Sequence, residues 1–255
     1  MPLIITPLTD IPNIEVGDDL VEIIINALRK DHISLANGDI IVIAQKIVSK
    51  SEGRFMRLSE ISPSHEAREL ALSTEKDPRE VELILQESKE IIRSRPGAII
   101  VEHRLGFICA NAGIDHSNVI AELGESEETV LLLPKNPDLS AKILREKLER
   151  TLGVRIGVMI IDSHGRAWRL GTVGITIGIS GLPGLVDLRG IPDLYGWKLK
   201  ITEVGSADEL AAAASLVMGQ ASEGTPIVHV RGFPYALREG SLSELIRPKD
   251  QDLFR

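Results

Sequence analysis

A single cysteine, Cys109, is present among 255 residues, so the chain can close no internal disulfide and can hold no zinc through a set of thiolates. Any metal it takes must be bound by oxygen or imidazole. Cys109 itself lies inside the apolar run Phe107 to Ala110 and reads as a buried strand residue. Basic residues are also short: 29 Lys and Arg against 37 Asp and Glu leave a net charge of -8. No excess exists to neutralise the phosphates of a nucleic acid. A small anionic substrate stays open only if local lysines, arginines or metal ions offset the field. No apolar stretch approaches the ~20 residues that span a bilayer. The start, Met1-Pro2-Leu3-Ile4-Ile5, lacks the basic and apolar regions of a secretory leader, so a cytoplasmic protein away from membranes is expected. With 43% apolar and 26% charged residues, the chain is a globular protein rather than a disordered one.

The common catalytic signatures are missing as well. The chain has no G-x-x-x-x-G-K-[ST] loop, no G-x-G-x-x-G turn and no G-x-S-x-G elbow, and its histidines form no H-x-x-x-H pair. Glycine spacing over Gly174 to Gly184 only loosely mimics a phosphate loop. Asp162, Ser163 and His164 have the residue types of a hydrolase triad, but three consecutive residues do not normally converge as a triad requires. His164 reads as an exposed turn residue.

What is present is an alternation of strand and helix patterns. Leu3 to Thr6, Asp39 to Ala44, Thr129 to Leu133, Val154 to Ile161, Gly171 to Gly184, Lys198 to Val204 and Pro226 to Val230 read as strands. Ala98 to Glu102 and Phe107 to Ala110 flank a short connection and suggest a hairpin. Asp18-Asp19 precedes a helical face of Leu20, Ile23, Ile24 and Leu28, and Pro63 to Thr74 is rich in Glu, Ala and Leu. Asp77-Pro78-Arg79-Glu80 is a capping start for a helix whose apolar stripe runs through Val81, Ile84, Leu85, Ser88, Ile91 and Ile92. Asn136-Pro137-Asp138 opens another helix that ends near Gly153, and Asp208 to Met218 is an alanine-rich one. No linker rich in Pro, Gly or Ser divides the chain, which predicts one compact α+β unit over residues 1–255.

Two apolar runs stop at an aspartate followed by small polar residues, at Asp115 and at Asp162-Ser163. A carboxylate at the end of a rigid strand is where catalytic groups are held, and two of them suggest a metal site. For either aspartate alone, a turn or helix cap is the first reading. Lys46 and Lys50 follow a buried strand and can meet phosphate, or form a solvated basic segment. Arg166 and Arg169 offer planar donors for carboxylate or phosphate, with surface ion pairs as the alternative. Trp168 between them reads as a packing anchor. Gln220, in Gly219-Gln220-Ala221-Ser222-Glu223-Gly224, is ordinary helix-end chemistry, yet beside two aspartates its amide oxygen suits a hard divalent cation.

Five blocks occur in one order along the chain: Ala44-Gln45-Lys46-Ile47-Val48-Ser49-Lys50-Ser51-Glu52-Gly53-Arg54; Asn111-Ala112-Gly113-Ile114-Asp115-His116-Ser117-Asn118; Asp162-Ser163-His164-Gly165-Arg166-Ala167-Trp168-Arg169; Asp187-Leu188-Arg189-Gly190-Ile191-Pro192-Asp193-Leu194-Tyr195-Gly196; and Ala207-Asp208-Glu209-Leu210 through Met218-Gly219-Gln220. Together they resemble the signature blocks of the coenzyme F420-0:L-glutamate ligase family and cover nearly the whole chain. The resemblance implies a GTP-dependent, amide-forming ligase that adds L-glutamate to the lactyl carboxylate of coenzyme F420-0, followed by a second, γ-linked glutamate. It implies the family's own α+β fold, an intertwined homodimer, two Mg²⁺ or Mn²⁺ ions, and potassium as a stimulant. Asp115 and Asp162 would be metal ligands, with Ser163 and Gln220 at a second cation. Lys46, Lys50 and Asn118 would contact GTP, joined by Gln45, by Pro12, Asn13, Ile14 and Glu15, and by Met218, Gly219, Gln220, Ala221, Ser222, Glu223, Gly224 and Thr225. The chain departs from the usual pattern at Ser163 for threonine, His164 for phenylalanine and Ala167 for proline. The second, flavin-binding domain fused to some bacterial members is absent, so no reductase activity is implied. A metal-dependent hydrolase of phosphate or amide bonds, and a GTP- and metal-binding regulatory protein, are the rival functions.

Overall fold

Polar side-chain caps set where four of the helices begin. The structure, a computed structural model, describes residues 2–116 and 128–254. After β1 (Ile4–Pro7), the Asp19 carboxylate caps α1 (Leu20–Lys30) by accepting from the Val21 N–H at 2.9 Å. The apolar β2 (Ile40–Ala44) passes directly into a short helix, α2 (Gln45–Ser51), and then β3 (Phe55–Arg57). Ser64 and Asp77 cap α3 (His65–Thr74) and α4 (Pro78–Gln86). Then come β4 (Ser88–Arg95), β5 (Ala98–His103), β6 (Ile108–Ala110) and β7 (Thr129–Leu131). Asn136 caps α5 (Pro137–Leu152), which ends on left-handed Gly153. The long hairpin β8 (Gly157–Arg166) and β9 (Arg169–Ser180) is followed by β10 (Val186–Asp187), β11 (Glu203–Val204), α6 (Ser206–Met218) and β12 (Ile227–Arg231).

The main sheet has the order β1-β12-β2-β8-β9. Only β2 and β8 run parallel, with Ile40 opposite Gly157 and Ala44 opposite Ile161; the other ladders are antiparallel. Their continuous apolar runs follow from being covered on both faces. Ile41, Ile43, Val158 and Ile160 face the core shared with α1 and α5, while Ile40, Val42, Met159 and Ile161 face α6. The first core continues into α3, α4 and β5, which carries the smaller sheet β4-β5-β6. The chain is therefore mixed α+β, as its pattern predicts.

Three departures from the predicted elements bear on the fold, beyond shifts of a few residues at other ends. The stripe that predicts a helix through Ile92 breaks at Gln86, because residues from Ser88 pair with β5 around Pro96-Gly97, where Gly97 takes φ 81°. A proline followed by a left-handed glycine is a strong turn signal, and it outweighs a short apolar periodicity that fits either structure. The strand expected to stop at Ile161 runs on to Arg166, because β9 keeps pairing with it to the hairpin tip. Of Lys198 to Val204 only Glu203 and Val204 form a strand, opposite β10.

Candidate functional site

Ala44 and Ile161 are the last parallel pair of β2 and β8; beyond them Gln45 leaves the sheet to begin α2, while Asp162 continues β8, paired with β9 alone. In sheets with parallel strands, the ends of adjacent strands are where ligands are met. Helix α2 begins there and places Lys46 and Lys50 one turn apart on one face. The Gln45 Nε2 donates to Asp115 Oδ2 at 2.9 Å, and Gln45 Oε1 accepts from Ser49 Oγ at 2.9 Å. Lys46 Nζ lies 3.3 Å from the same Asp115 oxygen. The backbone of Asp115 is fixed in turn, exchanging two 2.9 Å hydrogen bonds with Leu131 of β7. It is delivered there by Asn111, Ala112 and Gly113, all left-handed, with φ of 50°, 52° and 66°. A Cβ on Gly113 would sit 2.7 Å from Leu133 Cδ1, so the turn needs glycine for space as well as conformation.

The opposite wall comes from β8, β9 and α6. Gly174 lies opposite Ser163 in the hairpin, and a Cβ there would collide with Ser215 and the Ala211 carbonyl. The missing side chain lets α6 lie against β9. Ser163 Oγ then donates to Gln220 Oε1 at 2.8 Å, and Gln220 Nε2 donates to Ser215 Oγ at 2.9 Å. Beyond α6 the chain turns back on itself: Glu223 Oε2 accepts from the Ala221 N–H at 2.8 Å and Thr225 Oγ1 donates to the Met218 carbonyl at 3.0 Å. Residues 12–15 form the remaining edge, tied to the end of α2 by the Gly17 N–H to Ser51 carbonyl bond of 2.9 Å.

These parts enclose a cavity of about 660 Å³, within the range of small-molecule sites. Burial raises the Asp115 pKa; nearby Lys46 opposes that rise, and the charge of Asp162 adds to it. Lys50 is lowered by burial and by Lys46. Cys109 is pushed up to about 12 by burial and by Asp162, which makes it a packed thiol rather than a nucleophile. The donors facing the cavity are carboxylate, hydroxyl and amide oxygens, the set that hard divalent cations prefer. Two carboxylates close enough to repel one another are what a cation would relieve. Among the described residues no three His, Cys, Asp or Glu side chains gather to hold a metal, so a cation here would need hydroxyl, amide, water or substrate oxygens too.

Pro12 to Glu15, Gln45, Lys46, Lys50, Asp115, Asp162, Ser163 and Met218 to Thr225 all line this one cavity. Asn118 lies outside the described residues. Ile11, Ile47 and Ser215 also line it without having stood out in the sequence; Ser215 was legible only as one more small residue of an alanine-rich helix. Arg166 and Arg169 do not join them: both are exposed near the hairpin tip, and neither pairs with a carboxylate among the described residues. Trp168 is no packing anchor, being 86% exposed at the turn with φ 63°. His164 is no turn residue either. It is buried within β8, and its Nε2 lies 2.8 Å from Asp162 Oδ2, because residues two apart on a strand share a face. The two outer members of the triad-like run do meet, while Ser163 turns to Gln220 instead.

Fold and site define an α+β protein whose cavity sets carboxylate and amide oxygens beside lysines, the equipment that phosphoryl-transfer enzymes use. The family profile of F420-0:gamma-glutamyl ligase matches residues 9–232, and the chain belongs to that family. It is 49% identical over 246 residues to the coenzyme F420:L-glutamate ligase of Methanothermobacter thermautotrophicus, covering 96% of this chain and 95% of the relative. To the proteins of that name from Methanocaldococcus jannaschii and Archaeoglobus fulgidus it is 48% and 41% identical, covering 87% and 98% of this chain and 86% and 95% of the relatives.

Proposed function

We propose that this chain is a ligase that joins L-glutamate to coenzyme F420-0 in coenzyme F420 biosynthesis, driven by GTP, and that it adds a second, γ-linked glutamate. Family membership supports the substrates. The observation that carries the chemistry is the convergence of residues 12–15, 45–50, 115, 162–163 and 218–225 on one cavity of a size suited to a nucleotide.

A carboxylate does not condense with an amine in water. In the proposed reaction a carboxylate oxygen of coenzyme F420-0 attacks the γ-phosphorus of GTP, the bond to the β-phosphate oxygen breaks, and GDP leaves. The glutamate nitrogen then attacks the acyl carbon, phosphate leaves with the electrons of the broken C–O bond, and the amine gives up a proton. Lys46 and Lys50 supply fixed positive charge beside the triphosphate, preorganised by α2. Asp115 and Asp162, with Ser163 and Gln220 at a second position, are the residues that would hold Mg²⁺ or Mn²⁺, which supply charge neutralisation between substrate carboxylate and triphosphate. Gln45 and the backbone pairing with Leu131 hold Asp115 for that task. Potassium as a stimulant, a homodimer and a cytoplasmic location belong to the same proposal. Support for the dimer lies in Trp168, Leu170, Leu194, Tyr195, Trp197 and Ile201, large apolar side chains exposed at the hairpin tip and over residues 188–202. Among the described residues no helix is long and apolar enough to cross a membrane.

The test is to incubate the purified chain with coenzyme F420-0, glutamate, GTP and Mn²⁺ and to follow GDP and product mass. The expected result is GDP released with a product heavier by glutamyl residues. GDP without such a product overturns the ligase assignment, and cleavage of substrate without GTP consumption would mark a hydrolase. GTP bound but never turned over would mark a regulatory protein. Asp162→Ala abolishes ligation; normal turnover by that variant would refute the metal assignment.

A further inference from the structure

We propose that His164 is a positioning residue that holds the Asp162 carboxylate in the orientation in which it takes a divalent cation. The inference rests on the reading of Asp162 as a cation ligand given above.

Asp162 and His164 occupy the same face of β8, and the imidazole Nε2 meets Asp162 Oδ2 at 2.8 Å. The other ring nitrogen, Nδ1, is buried without a partner. Asp162 is therefore the one polar contact the ring makes among the described residues, and this fixes the tautomer with the proton on Nε2, donating to the carboxylate. The ring cannot easily turn away. It packs against Phe107 at 5.3 Å between centroids and 55° between planes, and Phe107 stacks flat on His103 at 5.0 Å and 3°. His103 is fully buried, and its Nδ1 accepts from the Leu105 N–H at 3.1 Å. Behind the site stands a wall of three rings, and its last member points its N–H at Asp162.

The same arrangement holds the other carboxylate. Gln45 donates to Asp115 Oδ2, as His164 does to Asp162 Oδ2, so each aspartate has one oxygen held by an N–H donor from the protein. A carboxylate held in this way does not have to be ordered when the cation arrives, and donors of this kind sustain metal affinity. A ring that only filled space would pack as well without nitrogen.

Mn²⁺ titrated alone into the purified full chain, with free Mn²⁺ read from its electron paramagnetic resonance signal, tests this without reference to turnover. His164→Phe keeps a ring against Phe107 and removes the donor, and affinity is expected to fall by about tenfold or more. His164→Gln returns an N–H near the Nε2 position and recovers most of the loss. His164→Met, the donor-free counterpart of glutamine in shape, does not. Asp162→Ala separates the two levels. If it binds Mn²⁺ as the parent chain does, or if the parent chain binds none, the ligand reading fails and this proposal with it. If Asp162→Ala loses binding while His164→Phe keeps parental affinity, the positioning role alone is overturned. Should His164→Phe fail to fold, equal affinities for the Gln and Met variants overturn the positioning role in its place.

Discussion

Glu87 shows how much one buried charge can carry in this fold. Arg104 Nε lies 2.7 Å from its Oε2, Arg54 Nη2 3.1 Å from its Oε1, and His103 Nε2 3.6 Å from its Oε2. Burial opposes ionisation, yet His103, Arg104 and Arg54 outweigh it and bring the carboxyl from 4.5 to about 2. A carboxyl with a folded pKa below its unfolded value adds stability that is complete above the unfolded value and is lost as pH falls through the folded one. The side chain is 13% exposed, so solvent screens it little, and the shift corresponds to about 3 kcal/mol. Glu87→Gln is expected to lower stability by about that amount at neutral pH, with the deficit closing between pH 4.5 and about 2. Urea unfolding midpoints measured across that range check it; a deficit flat in pH would mean the charge contributes nothing. At this scale the sequence is uneven to read. Cys109 inside an apolar run could be placed as buried from its neighbours alone. His164 could not, because Asp-Ser-His looks like a turn until the strand is known to continue through it.

Elements with strong local signals were legible: the Asp19, Asp77 and Asn136 caps open helices where their chemistry suggests, and the apolar runs of β2 and β12 are strands. Helix α2 was not, since it has seven residues and too little length to show a period. Without that helix, Lys46 and Lys50 stay ambiguous between site and surface. The site depended less on periodicity than on the ordered blocks, whose members come from segments that share no local pattern. The turn at Asn111 to Gly113 is the element on which Asp115 most depends. Gly113→Ala places a Cβ against Leu133 in a conformation with φ 66°, and a loss of about 1–3 kcal/mol is expected. Thermal unfolding checks it. Gly165→Ala, where φ is not left-handed and no atom lies within 4 Å of the added carbon, is the matched control and should be nearly silent. Equal effects at the two positions would show that the strained turn is not the cause.

On the scale of the molecule, the exposed apolar side chains of residues 188–202 are the feature that a single chain leaves unexplained. Leu194 is 99% and Trp197 76% exposed, levels that suit a surface covered by a second copy. The double substitution Leu194→Glu and Trp197→Glu is expected to convert a dimer into a monomer in sedimentation velocity. An unchanged dimer would place the interface elsewhere, and a parent chain that sediments as a monomer would refute the dimer itself. The main sheet has a further consequence for how the protein is made. Among the described residues strand β1 pairs only with β12, Ile4 opposite Arg231, and β12 in turn lies between it and β2. On the ribosome β1 emerges before its partner, so its hydrogen-bonding edge waits through the synthesis of every segment that lies between the two strands. Translation must reach the end of β12 before the sheet can be sealed, and until then the nascent chain has an open seam for chaperones to guard.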